Sequence, residues 1–541
     1  MVAVYVSVKS LQMFTILTFC IVGISLIPSL LVFTYNIIEP FTNSVIALAK
    51  ETQFSGHIPF EPYTTYGYWQ VHANSISARG GIISLVTILS VVTGLPIYTV
   101  CLMPLPGIMS VILAYLIGRR LGARLTGVVF AVIMGFSTFH VLTETSIGYQ
   151  SYGNLLQLII IFIIVLCYID RGKWSRSDVL VVSLLFWACS QAYYTAEFLT
   201  IAIFLSITLF SFKNHSKYDT NAFKVMSYFT LLGVIIFLGF DFITYVFMRN
   251  MSIGVLANAL VNYFSYLISL ITRESTATLG PSRPYTNPLI KYLDMTFNVL
   301  NWMVIVVCVS LYLKNVRKTT KSHARLTRKE NSANILAFSL LFAFGTRLLI
   351  YGLLGKIAIG WIYVPIITII LAQTWFVTRK HNLIKYIMPL LIVVITLLSF
   401  SLTWTETISI VGVDYYHKVN PCASWIANII NSGSLVSSNQ ISAQIFGVVA
   451  ELGKANSISV NEFGSDVGNL NNTSNLYNVL VTRGYSYLIL AKMFENQPIY
   501  GGFWGPYLQP LGDKLESFDN YIYFSRIYDD GMLMVHKIGR K

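Results

Sequence analysis

The sequence predicts a polytopic α-helical membrane protein of about eleven spans carrying a C-terminal soluble α/β domain on the non-cytoplasmic side. Three observations predict it. Of the 541 residues, 55% are hydrophobic and only 11% charged, whereas a water-soluble domain usually carries about a quarter charged residues. Apolar runs close to the roughly 20 residues needed to cross hydrocarbon recur up to residue 404. Lys and Arg gather mostly in short clusters between those runs.

The first apolar run, Leu11 to Tyr35, is longer than the h-region of a signal peptide and reads as an uncleaved first span. Further spans fall near 98–117, 125–141, 154–170, 178–192, 194–212, 226–248, 294–313, 334–352, 358–377 and 386–404. Basic clusters follow every second one: Arg119, Arg120 and Arg124; Arg171, Lys173 and Arg176; Lys213, Lys217 and Lys224; the dense group between Lys314 and Lys329; and Arg379, Lys380 and Lys385. The opposite connections near 142–152 and 191–196 hold none, and that near 351–357 holds only Lys356. The positive-inside rule therefore places the clusters and the N-terminus in the cytoplasm of a multi-pass cell-membrane protein. It also divides 178–212 into two spans turning near Gln191–Thr195, because basic clusters flank both ends and the number of crossings must be even. Ile82–Thr93 is short for a span and suits an interfacial or re-entrant helix; if it crosses, the N-terminus moves outside.

Three larger pieces then lie outside: loops 36–97 and 249–293, and the tail 405–541, while 1–404 form the membrane domain. Ile253–Ile271 suits an amphipathic helix on the membrane surface. In the tail, Pro421–Ile430 and Ala443–Leu452 read as helices, Ser434–Ser437 and Tyr487–Ala491 as strands. Tyr521–Tyr528 and Met532–Ile538 bracket Asp529-Asp530-Gly531 like a hairpin. The Asn471-Asn472-Thr473 and Asn472-Thr473-Ser474 sequons suit an exposed surface.

The net charge of +14 does not point to nucleic acid, because the basic residues sit between apolar runs and read as topology. Five of the six cysteines lie in apolar runs and Cys422 stands apart from them, so neither a disulfide framework nor a zinc motif follows. No Walker loop, GxSxG elbow, HExxH or nucleotide-binding glycine fingerprint occurs.

The informative residues are ionisable groups near the outer membrane surface. Glu39 ends the first span and Glu144 lies just beyond the third; Glu197 and Asp241 fall inside the sixth and seventh; Arg347 lies in the ninth, with Lys356 close behind. Such groups cost roughly 2.5–3.5 kcal/mol at the bilayer centre and less near an interface, where side chains snorkel. Glu39 and Glu144 read equally as ordinary interface residues, and Asp241, Glu197 and Arg347 as a structural ion pair. Functionally, the set suits a reaction on a lipid-linked phosphate: a carboxylate deprotonates an acceptor hydroxyl, and Arg or Lys stabilises charge on the departing phosphate. His57, His72 and His140 could join Glu39, Glu61 and Glu144 around a divalent metal, but their spacing is not diagnostic and polar loop histidines are the preferred reading.

Several motifs occur in order along the chain. Glu39-Pro40 follows a span, Ser55-Gly56-His57-Ile58-Pro59 comes about sixteen residues later, then Thr93-Gly94-Leu95-Pro96 and a span ending Gly118-Arg119-Arg120-Leu121-Gly122. The tail adds Ser434-Leu435-Val436-Ser437-Ser438 and Arg526-Ile527-Tyr528-Asp529-Asp530-Gly531. Together these resemble the C-type (GT-C) membrane glycosyltransferases of the protein-mannosyltransferase-like and aminoarabinose-transferase-like group, most strongly over 30–170 and 420–541. No Trp-Trp-Asp-Tyr-Gly motif occurs, which disfavours an oligosaccharyltransferase catalytic subunit. The resemblance implies an inverting glycosyltransferase that moves a sugar from a polyprenyl-phosphate donor to an extracytoplasmic lipid, glycan or protein acceptor. It places Glu39 at the family's first-loop acidic position and Glu144 where the second external connection often carries another acid, both catalytic candidates. Arg347 and Lys356 are then the lipid-phosphate binders, with Asp241 and Glu197 as ion-pair or site support. The family's first loop usually carries an Asp, often in an acidic pair; here Glu39 stands alone. A non-catalytic membrane protein, either a degenerate glycosyltransferase-like scaffold or a transporter, is the alternative.

Overall fold

The structure is a computed structural model that describes residues 11–34, 40–58, 80–121, 124–136, 145–213 and 220–248, parts of 332–343 and 390–401, and residue 310. In the C-terminal region it describes parts of 421–430, then 435–438, 459–462, 472–495, 499–500, 507–508, 511–531 and 533–539. The chain divides into two compact units. One comprises Met1–Asn36, Leu102–Ile271 and Leu289–Trp404, and the other Ile37–Cys101, Thr272–Pro288 and Thr405–Lys541.

In the first unit the opening apolar run is two successive helices, α1 (Leu11–Ser25) and α2 (Ile27–Thr34). The break at Leu26 has a local cause. Pro28 has no N–H to donate to the preceding turn, and Leu26 instead bonds the Gly23 carbonyl at 3.1 Å, a tighter turn. The other helices here that the description follows from end to end are α6 (Leu105–Leu121), α7 (Arg124–Phe136), α8 (Tyr149–Ile164, continued as a wider π-turn over Val165–Arg171), α9 (Arg176–Ala192), α10 (Tyr194–Lys213) and α11 (Thr220–Met248). Between α2 and α6 the chain forms α3 (Pro40–Ser55), α4 (Gly81–Thr93) and α5 (Ile97–Leu102). Among the described residues three helices are long and apolar enough to cross a membrane: Ile97–Leu121, Gln150–Arg171 and Asn221–Phe240. A helix break does fall within the expected turn of 178–212, at Tyr193, whose extended backbone (φ −151°, ψ 114°) separates α9 from α10. Residues 253–271, and most of those in the last four predicted spans, lie outside the described residues.

Small residues set the closest helix approaches, as apolar packing within lipid favours. A Cβ on Gly118 of α6 would stand 2.9 Å from the Gly127 Cα of α7, and a Cβ on Gly127 would stand 2.6 Å from the Tyr115 carbonyl oxygen. Gly233 of α11 leaves room in the same way for Ile201 of α10, beside stacked Phe204 and Phe229. The outward faces are apolar too: Leu184, Trp187, Leu231 and Ile235 are all exposed, an arrangement that suits lipid and not water.

The second unit explains one sequence spacing. The interval from Glu39-Pro40 to Ser55-Gly56 is occupied by α3, which opens on Pro40, where no N–H is required, and stops at Gly56 in the left-handed conformation (φ 76°). The 13-residue α4 lies against α3, burying Ile82, Ile83 and Val86 opposite Val45, Ile46 and Ala49. At about 1.5 Å per residue it is too short to cross the hydrocarbon.

The C-terminal region holds a five-stranded sheet in the order β2-β1-β3-β7-β6, with β1 (Leu435–Ser438), β2 (Ser459–Glu462), β3 (Tyr487–Ala491), β6 (Phe524–Asp529) and β7 (Leu533–Ile538). The strands β2, β1 and β3 run parallel, while β3, β7 and β6 run antiparallel. Two short strands, β4 (Ile499–Tyr500) and β5 (Tyr507–Leu508), pair separately. Helix α12 (Thr473–Thr482) is capped by Asn472, whose side-chain oxygen accepts from the Asn475 N–H at 3.1 Å, and it buries Leu476, Tyr477 and Leu480. The expected strand at Tyr487–Ala491 is present with those bounds, and the expected hairpin closes through Asp529-Asp530-Gly531. Gly531 supplies the positive φ of 81°. Residues 443–452 lie outside the described set.

Candidate functional site

Two of the basic clusters stand at one end of the first unit. Arg120, in the last turn of α6, pairs with Asp170 at the end of α8 (3.2 Å), and Arg171 pairs with Asp178 at the start of α9 (2.9 Å). The α9 start is fixed by reciprocal bonds between Ser175 and Asp178. From Asp170 back to Gln150 the helix rises about 30 Å, the thickness of a hydrocarbon core. Gln150 therefore marks the opposite end.

At that end polar side chains are buried. Gln150, Asn154 and Gln157 recur at helical spacing on one stripe of α8, with exposures of 1%, 6% and 6%. Gln157 donates its amide to the Ala196 carbonyl and to the Thr200 hydroxyl, both at 3.3 Å, tying α8 to the first turn of α10. Thr200 itself donates to the Ala196 carbonyl at 2.7 Å. Glu197 lies in that same first turn with no exposed surface. Beside it, Gly153 provides the space into which Tyr193 packs, and Cys189 donates to the Gly153 carbonyl. The Gln150 amide nitrogen has no hydrogen-bond partner among the described residues.

The turn after Glu144 is also ordered by polar contacts. Thr145 and Ser146 are buried, the Gly107 N–H of α6 donates to the Thr145 carbonyl, and Ser151 bonds both Ser146 and Gly148. Ser29 of α2 reaches the same place: a Cβ on Gly107 would meet the Ser29 and Thr145 hydroxyls at 2.7 and 3.0 Å. This buried end thus gathers the Ser29 hydroxyl of α2, the Gly107 N–H of α6, hydroxyls and carboxamides of α8 and the turn before it, and the first turn of α10.

Glu39, Glu144, Arg347 and Lys356 lie outside the described residues, as do Glu61, His72 and His140. Asp241 falls within α11, and its side chain is outside the description. Glu197 is placed, buried within the first unit. His57 is exposed and engaged locally, its Nδ1 3.1 Å from the Ser55 carbonyl oxygen; that contact closes the end of α3. Among the described residues no three His, Cys, Asp or Glu side chains stand close enough to hold a metal ion. The polar stripe on α8 escaped the sequence reading, which followed charges. Its signal was present as Gln150, Asn154 and Gln157 at i, i+4 and i+7 within an otherwise apolar run.

No family model and no curated protein matches the sequence. The fold does have solved counterparts. The crystal structure of the Archaeoglobus fulgidus oligosaccharyltransferase in complex with zinc and sulfate superposes with a TM-score of 0.50 at 11% identity, over 88% of this chain and 68% of that one. The same oligosaccharyltransferase, tethered through a disulfide to an acceptor peptide containing the NVT sequon, gives 0.51 at 11% identity, over 88% and 69%. ArnT from Cupriavidus metallidurans, bound to undecaprenyl phosphate, covers 98% of this chain and all of that one at 10% identity, with a TM-score of 0.46. These neighbours are GT-C fold glycosyltransferases. The likeness to the oligosaccharyltransferase shows that this chain has the GT-C fold, and a fold alone does not name a reaction.

Proposed function

We propose that the chain is an inverting membrane glycosyltransferase that transfers a sugar from a polyprenyl-phosphate donor to a lipid, glycan or protein acceptor outside the cytoplasm. The observation that carries the reading is the GT-C fold, followed over 88% of the chain by a glycosyltransferase. It is supported by the polar, buried outer end of an otherwise apolar bundle. In this reading residues 1–404 form a membrane domain of about eleven spans, and 405–541 an external domain.

The chemistry is a single displacement. The acceptor hydroxyl oxygen forms a bond to the anomeric carbon as the bond from that carbon to the phosphate oxygen breaks, which inverts the centre. Glu39 takes the hydroxyl proton, and Arg347 with Lys356 holds the charge that grows on the phosphate. Glu144 is the second candidate base. Asp241 and Glu197 support the site or neutralise a cation within the bundle. A divalent metal, if one takes part, would draw on carboxylates of the same set and stabilise phosphate charge.

The test is turnover of radiolabelled polyprenyl-phosphate sugars by purified protein in lipid. Glu39→Gln should lower turnover by about 10²–10⁴-fold with donor affinity nearly unchanged. Near-normal turnover in that variant moves the role to Glu144. Near-normal turnover in Glu39→Gln, Glu144→Gln and the double variant sinks the mechanism. Stoichiometric donor binding by wild-type protein with no transfer to any acceptor class favours a non-catalytic scaffold.

A further inference from the structure

His536 lies on β7 with no exposed surface, roofed by the rings of Phe518 (6.1 Å) and Phe524 (6.4 Å). Its cross-strand neighbours are Leu488 on β3 and Arg526 on β6. Its Nε2 stands 3.1 Å from the Asp519 Oδ1, so Nε2 carries the hydrogen and donates it. The other nitrogen, Nδ1, is buried and has no hydrogen-bond partner among the described residues. The charged groups facing the ring are Asp519, in the turn after the 3₁₀ segment Gly512–Phe518, and Arg526 and Asp529 on β6. Asp519 is not the imidazole's alone, because its second oxygen accepts from Arg526 at 2.9 Å, and Arg526 also reaches Asp529 at 2.6 Å.

A second proton on this ring would put a hydrogen on Nδ1 where no described group accepts it, and would place a cation against Arg526. Both are costly in a buried site. Burial is the leading influence on the ring and holds its pKa below the ordinary histidine value; Arg526 acts in the same direction, and Asp519 and Asp529 oppose them. The sign follows from linkage. Where the folded pKa lies below the unfolded one, the unfolded form binds the proton first, so stability is full above the unfolded value and is lost as pH falls through it.

We propose that His536 makes the C-terminal β6–β7 hairpin an acid-sensitive latch: closed at neutral pH, with the ring neutral and donating to Asp519, and released in mild acid when the ring takes a proton that the closed form cannot accommodate. Release frees Asp519 and Arg526 together, because both are tied to the ring's position. The latch does not depend on the proposed transfer reaction.

Hydrogen exchange on the full-length protein in lipid nanodiscs tests this without any substrate. Protection of amides in 524–538, corrected for intrinsic exchange rates, should fall by about tenfold or more between about pH 7.5 and about pH 5, the range in which an unfolded histidine gains its proton. His536→Gln keeps a donor for Asp519 and cannot titrate, so its hairpin protection should stay flat over that interval. An equal acid loss in His536→Gln overturns the proposal. If that variant does not fold, the wild-type profile decides alone: protection independent of pH across the range overturns it as well.

Discussion

Arg120, in the last turn of α6, reaches Asp170, where α8 ends, at 3.2 Å. Two helices that the sequence follows with separate basic clusters therefore finish at the same end of the unit. The pair is surface-exposed on the arginine side and contributes about 0–1 kcal/mol, so its value lies in registering the two helix ends. If that end faces the cytoplasm, cysteines introduced at Gly122, Gly172 and within 314–329 should all resist an impermeant thiol reagent in intact cells. Cysteines at exposed tail positions such as Ile522 should react. Protection of the tail together with labelling of 314–329 would reverse the assigned orientation.

The close approach of Gly118 and Gly127 makes a stability prediction. A methyl group on Gly118 has no room to rotate away, because the nearest neighbours are the Gly127 backbone at 2.9 Å and the Phe130 ring. Gly118→Ala should lower stability by about 1–3 kcal/mol, the cost of overpacking, and Gly118→Leu by more. Thermal melts of detergent-solubilised protein measure this. An unchanged midpoint in both variants would mean that α6 and α7 separate easily and that the glycine contact is incidental.

Much of this architecture was legible in the sequence because it obeys local rules. The break at Tyr193 followed from counting crossings between basic clusters, and the β6–β7 hairpin from Asp529-Asp530-Gly531 between two β-rich runs. Cause and signal coincide at such places. The buried stripe of Gln150, Asn154 and Gln157 was less visible, since uncharged polar residues barely lower the mean hydropathy of a span, and only the bonds from Gln157 to Ala196 and Thr200 show what one of them does. His536 was not legible at all. Its environment is assembled from Asp519, Arg526 and Leu488, brought together by sheet register and not by spacing along the chain.

For the lipid phosphate, Arg347 is the residue to remove. An arginine within an apolar run persists where something anionic offsets its cost. If that partner is the donor phosphate, Arg347→Met should weaken binding of a polyprenyl phosphate at least tenfold while the amount and melting temperature of folded protein stay unchanged. Tryptophan fluorescence titration reads the affinity, and loss of folded protein would instead assign Arg347 to an ion pair within the bundle.

Glu197 separates support from chemistry. It sits in the first turn of α10, fully buried, one residue from the Ala196 carbonyl that accepts from both Gln157 and Thr200. A carboxylate there is expensive and persists only if the polar contacts around it are part of the packing. As a supporting residue its hydrogen-bonding capacity matters and its charge does not. Glu197→Gln should therefore keep the melting temperature within about 2 °C, whereas Glu197→Leu strands its neighbours and should cost about 1–3 kcal/mol. Gln157→Leu removes the bonds from the other side and should cost about 1 kcal/mol, the usual scale for an interhelical hydrogen bond in a membrane. Because Gln157 bonds the same helical turn that carries Glu197, the double variant should cost less than the sum of the singles. A different pattern, in which Glu197→Gln melts normally but loses turnover as severely as Glu39→Gln, would move Glu197 from the packing of α8 against α10 into the reaction itself.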